Sequence, residues 1–123
     1  MEFRGICLVT PNVPGLAAFY QRVFACKAQG DVTHAEVALP GLGLAIFSWA
    51  GMEEMAPGSM RAAGTGCTTL MFEGEDAVAE NERLAGRGAE VVKPPQTHPW
   101  GSRAAWFRDP DGNILDFYSR VAG

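Results

Sequence analysis

Asp116 stands alone between Leu115 and Phe117 in the stretch "WFRDPDGNILDFYS" (106–119), and an acid between two apolar neighbours asks for a chemical reason. In an extended strand the side chains alternate. Asp116 and Tyr118 then share one face, while Leu115 and Phe117 share the other and pack toward a helix. A carboxylate so placed can hydrogen-bond a ligand, attract a cation, ligate a metal, or act as a base if desolvation raises its pKa. It can also simply pair with Arg103 or Arg108. Nearby in the chain are His98, Trp100, Arg103 and Trp106, a set of rings and charges suited to holding a planar or cationic small molecule. Each ring contact adds about 0.5–1.5 kcal/mol beyond burial. Phe47 or Trp49, at the end of an earlier strand, contributes a further ring. Trp100, in the Pro-rich loop "PPQTHPWG", is better placed for a ligand than Trp106, which reads equally as core or rim. His98 adjoins Trp100 and serves either the loop or the ligand, whereas His34 precedes a strand and reads as a surface histidine.

Other chemistries find little support. There is no G-x-S-x-G nucleophile elbow and no cysteine beside a histidine. "GLGLA" (41–45) is followed by no helix, so it is not a phosphate loop. Cys7, Cys26 and Cys67 are odd in number and form no C-x-x-C pair, which argues against a zinc knuckle or thiol redox site. Each is expected to be a small buried hydrophobe.

The 123 residues suit one domain with a real core, without disulfides or a structural metal. A hydrophobic share of 47% and a charged share of 20% are those of a globular chain. A net charge of −4 with no basic run argues against nucleic acid as a partner. No run of 18 apolar residues exists, so no membrane span is expected. "MEFRGICLVTPN" lacks the form of a signal peptide, and the expected location is the cytoplasm.

These side chains need elements to position them. In 14–26, Leu16, Phe19, Tyr20, Val23 and Phe24 fall on one helix face, with Pro14 in the first turn. A strand at 3–9 precedes this helix. Strands at 33–41 and 42–49 follow, with an edge-like piece in 26–32. The Met-rich 50–66 stretch reads as a connector with a helical turn, its methionines as filler. The order then repeats. A strand at 67–73 leads to a helix at 76–88 with Val78, Leu84 and Ala85 inward. A strand at 89–95 is stopped by Pro94-Pro95, and strands at 102–109 and 113–119 are joined by the turn "DPDG". The fold class is α+β: two βαβββ modules in tandem, about 1–50 and 66–123, linked by 51–65 within one domain. Helices cover one sheet face and leave a curved, cup-shaped mixed sheet for a small ligand.

"VTPNVPGLAAFYQRVF" and "GRGAEVVKPPQTHPWGSRAAWFRDPDGNILDFYS" resemble the vicinal oxygen chelate superfamily, which includes glyoxalase I, extradiol dioxygenases and bleomycin-resistance proteins. The resemblance implies paired modules, a homodimer and, in the enzymes, a divalent metal in the cup. By spacing, the implied ligand positions fall near Gly5, Phe47, Thr68 and Asp116, and only Asp116 carries a usual ligand. One carboxylate does not hold a catalytic metal. No metal and no cofactor are therefore expected. The expected function is that of the bleomycin-resistance branch: sequestration of a drug or aromatic metabolite by Phe47, Trp49, His98, Trp100, Arg103, Asp116 and Tyr118. The alternative is a metal-dependent lyase, isomerase, dioxygenase or thiol transferase of the same fold with Asp116 as acid or base. A third is a subunit or sensor whose cup is a remnant.

Overall fold

The apolar spacing of 14–26 has its outcome in a helix whose buried face is Val13, Leu16, Phe19, Tyr20 and Val23. The computed structural model describes residues 1–41 and 43–121. Among them are β1 (Gly5–Thr10), α1 (Val13–Phe24), β2 (Ala28–Gly30), β3 (His34–Val37), β4 (Gly43–Ser48), α2 (Trp49–Met55), β5 (Thr69–Glu73), α3 (Ala77–Gly86), β6 (Glu90–His98), β7 (Ser102–Arg108) and β8 (Ile114–Arg120). Leu42, the first residue of the strand expected at 42–49, lies outside the described residues. The chain divides into two compact units, 1–65 and 66–123. Each contains one βαβββ module, and α2 lies in the first unit after its last strand.

The first module has the strand order β1-β4-β3-β2, with β1 and β4 parallel and the other pairs antiparallel. Asn12 caps α1 by accepting from the Gly15 amide at 3.0 Å, and Pro14 occupies the first turn, where no backbone donor is missed. Leu8, Leu44 and Ile46 are buried in the core of this module. Alternation then leaves Gly5, Cys7, Val9, Gly43, Ala45 and Phe47 on the other face. Cys7 is consequently exposed. So is Cys67, and Cys26 is half-buried, so none of the cysteines is the buried hydrophobe the sequence suggested.

Trp49 does not end a strand. It opens α2, capped by the Ser48 hydroxyl, which accepts from the Gly51 amide at 2.8 Å. The Met-rich connector is more ordered than filler. Glu53 gathers the amides of Gly58 and Met60 at 2.6 and 3.1 Å, and the Met60 side chain is buried.

The second module repeats the topology as β5-β8-β7-β6, with β5 and β8 parallel. Leu70, Leu84, Phe107, Leu115 and Phe117 form its core. Burying one such side chain contributes about 1.5–3 kcal/mol. Helix α3 is rotated from expectation: Ala77 and Leu84 are its buried residues, while Val78 and Ala85 are exposed. Few apolar residues mark this helix, so pattern alone set its phase weakly.

Pro94 and Pro95 do not stop β6. The strand runs through both to His98. It is the edge strand of its sheet, where a missing amide donor is tolerated, and the prolines fall at a register shift between Lys93 and Gln96. The "DPDG" turn is held from inside. Asp109, 3% exposed, accepts from the amides of Asp111 and Asn113 and from the Asn113 side chain, all at 2.8–2.9 Å. Gly112 takes φ +96°, as such a turn requires.

Candidate functional site: a cleft on the second sheet

One rung crosses all four strands of the second sheet. Met71 is in register with Asp116, Asp116 with Trp106, and Trp106 with Lys93. A second rung sets Glu73 beside Tyr118 and Tyr118 beside Ala104. Leu115, Phe117, Ala105 and Phe107 point into the core, so these rungs stand on the face away from α3. Met71, Ala104, Trp106, Asp116 and Tyr118 of these rungs line a cleft of about 260 Å³ together with His98 and Trp100, with Arg120 and Ser102 at one end; Lys93 and Glu73 flank it.

The rings are arranged rather than merely near. Trp100 is largely exposed and lies flat on His98, with centroids 4.4 Å apart and planes at 4°. Lys93 Nζ sits 4.5 Å from the Trp106 ring centroid and 2.7 Å from His98 Nε2. An ammonium has donors only, so Nε2 accepts and the imidazole hydrogen is on Nδ1.

Burial pushes the Asp116 carboxyl above its ordinary value. Lys93, the Trp106 indole N–H and His98 pull it the other way without cancelling the effect. Its Oδ1 is shut off from solvent with no partner among the described residues. The Tyr118 phenol is raised as well, first by its hydrogen bond to Glu73 and then by burial. Arg120 Nε lies 3.5 Å from the Glu73 carboxylate.

Of the residues expected at the site, the structure gathers His98, Trp100, Asp116 and Tyr118 in this cleft. Arg103 is a correction: it is three residues from Trp106, on the opposite face, with Nε donating to Thr97 at 2.9 Å. Arg108 pairs with Glu90 at 3.1 Å, so neither arginine answers Asp116. Phe47 belongs to the first module, where it stands edge-on to His34 at 6.0 Å, and Trp49 belongs to α2. His34 is half-buried there. His98 lies on a strand, not in a loop.

Lys93 and Met71 were missed. Met71 was legible as the partner of Asp116 once β5 and β8 are paired. Lys93 was hidden by the assumption that the prolines end the strand.

A family metal does not fit these residues. The position beside Asp116 on β5 is Met71, not Thr68, which precedes the strand and gives its amide to Asn113. The outward positions of β1 and β4 supply only the Cys7 thiol as a donor side chain. Among the described residues no three of His, Cys, Asp and Glu converge. A catalytic divalent site needs about three such ligands.

A family model described as "Glyoxalase/Bleomycin resistance protein/Dioxygenase superfamily" matches residues 4–117. No curated protein gives a significant match. Solved structures with the same fold include a glyoxalase/bleomycin resistance protein/dioxygenase from Nocardioides, 23% identical with TM-score 0.84, covering 100% of this chain and 85% of its own. Another, a family enzyme from Burkholderia phytofirmans PsJN, is 15% identical with TM-score 0.83, covering 98% and 100%. A glyoxalase-related enzyme from Fulvimarina pelagi is 19% identical with TM-score 0.80, covering 98% and 88%. At such identities the likeness establishes the fold.

Proposed function

This chain belongs to the glyoxalase/bleomycin resistance protein/dioxygenase superfamily, and we propose that it is a member that binds and sequesters a flat small molecule in the cleft of its second module, without a metal. The observation that carries this reading is the ring cluster: Trp100 stacked on His98, with Trp106 and Tyr118 lining the same 260 Å³ cleft. That volume is slightly under the usual range for drug-sized ligands and suits a fused two-ring core. Apolar walls with a few convergent polar groups are the general form of such sites. The donor set argues against a metal at the family position.

Calorimetric titration with 2-naphthamide in EDTA tests the reading. The expected result is saturable one-to-one binding, weakened about 3- to 10-fold by Trp100→Ala and by Trp106→Ala. Absence of binding, or binding indifferent to both substitutions, sinks it.

One observation favours a second reading, in which the cleft is an active site: the raised Asp116 carboxyl is a property an acid–base catalyst needs. It predicts chemical consumption of a bound molecule and its loss in Asp116→Asn. Assembly as a homodimer and a cytoplasmic location complete the proposal. The first rests on the family and is tested by sedimentation. For the second, no helix among the described residues is long and apolar enough to cross a membrane.

A further inference from the structure

Among the described residues Lys93 forms no ion pair with a carboxylate, although it stands over the rings of the cleft. Its one hydrogen bond goes to His98 Nε2, which leaves two of its three donors free. The polar capacity left in the cleft can be counted in the same way. His98 has spent its acceptor on Lys93 and keeps the Nδ1 hydrogen as a donor. Tyr118 gives its hydroxyl to Glu73. Arg120 lines the cleft and meets Glu73 through one nitrogen at 3.5 Å, with further guanidinium donors available.

The acceptor side is poorer. Of the Asp116 carboxylate, Oδ1 is closed off from solvent and the indole N–H of Trp106 bonds to the group. The face of Trp106, the seat a cationic ligand would take, is already held by the Lys93 ammonium. Spare donors therefore outnumber spare acceptors: among the described residues Lys93 and Asp116 both lack an ion pair, but Lys93 keeps free donors while Asp116 Oδ1 is shut away.

We propose, resting on the second-module cleft as the binding site, that its ligand is a planar aromatic acid whose carboxylate is received by Lys93 and Arg120. The ring lies against the Trp100–His98 stack, with the edge of Trp106 beside it. The carboxylate takes the free Lys93 donors in a partly desolvated setting, where a charge-assisted bond is stronger than a neutral one. Asp116 and Glu73 are the nearby carboxylates and work against the anion, Glu73 by already sharing Arg120. The raised pKa of Asp116, already set by burial, rises further when a second negative charge enters.

The test uses the full chain and three molecules of nearly one shape: 2-naphthoate, 2-naphthamide and 2-naphthamidine, titrated by calorimetry at pH 7. The expected order is acid tightest, about tenfold or more over the amide, with the amidine weakest. In Lys93→Met the acid-to-amide ratio falls toward one, and Lys93→Arg restores it. Amidine binding as tight as the acid, or an acid preference that survives Lys93→Met combined with Arg120→Met, overturns the charge assignment and leaves the cleft standing. Failure of all three to bind overturns the site itself, and this inference with it.

Discussion

Lys93 and His98 are five residues apart on one strand and still face the same way, with Nζ 2.7 Å from Nε2. In a regular strand an odd separation puts side chains on opposite faces. Here Lys93 is in register with Trp106 and His98 with Ser102, so five steps on β6 match four on β7. The extra residue is a bulge at Pro94-Pro95. The contact makes His98 the Nδ1–H tautomer, readable from imidazole nitrogen shifts in NMR. Deleting Pro95 turns Lys93 away and returns the ring to a mixture of tautomers. An Nε2–H tautomer in the unaltered protein contradicts the contact.

Asp116 gives a pH prediction. Its pKa is raised in the fold, so the folded chain binds that proton more tightly than the unfolded chain does. The group favours folding most when protonated, and this contribution is lost as pH rises from the ordinary value of 3.8 through the raised one. Asp116→Asn removes that slope and raises Tm at pH 7 by up to about 4 °C. Melting curves from pH 3.5 to 7 check it; a lower Tm for the variant at pH 7 means the carboxylate is stabilising.

Divalent metals are expected to leave the protein's melting unmoved. Thermal melts with Ni²⁺, Zn²⁺, Mn²⁺ and Fe²⁺, each against EDTA, are expected to agree within about 1 °C, since a ligand specific for the folded state would raise Tm. One metal per chain with a clear rise in Tm would overturn the metal-free reading and make Asp116 a ligand.

Asp109 is structural. Its buried carboxylate satisfies three N–H donors of the β7–β8 turn. Asp109→Ala strands them and lowers unfolding free energy by about 3 kcal/mol or more. Urea unfolding measures this, and a loss under 1 kcal/mol would show the turn stands without its acid.

Gly66 has φ +77°, and an added Cβ would sit 2.3 Å from the Asp111 carbonyl oxygen. Gly66→Ala combines backbone strain with a collision against main chain, a cost on the order of 2–4 kcal/mol in the same urea assay. An unchanged midpoint would mean that the backbone relaxes freely there.

The two-module order and α1 were legible because long-range repetition and a dense apolar stripe are both written at fixed spacings. Asp116 and Tyr118 were placed on one face by counting in twos. The same count, carried from Trp106, puts Arg103 on the other face, so that signal was present and unused. Helix α3 was misphased because Val78 is as apolar as its neighbours and only Leu84 anchors the buried side. Lys93 was beyond reach, since two prolines read as an end and nothing local says that a bulge carries the strand onward. The cysteines were misjudged from their type, although for Cys7 the burial of Leu8 beside it decides the matter.

The stretch that made this chain recognisable, "DPDGN", spends its acid and amide on reversing the chain. It works as a hinge pin and stands outside the lining of the second-sheet cleft. On the function proposed above, the choice of guest falls instead to the scattered positions of the Met71–Asp116–Trp106–Lys93 rung, which can be rewritten without disturbing the pin.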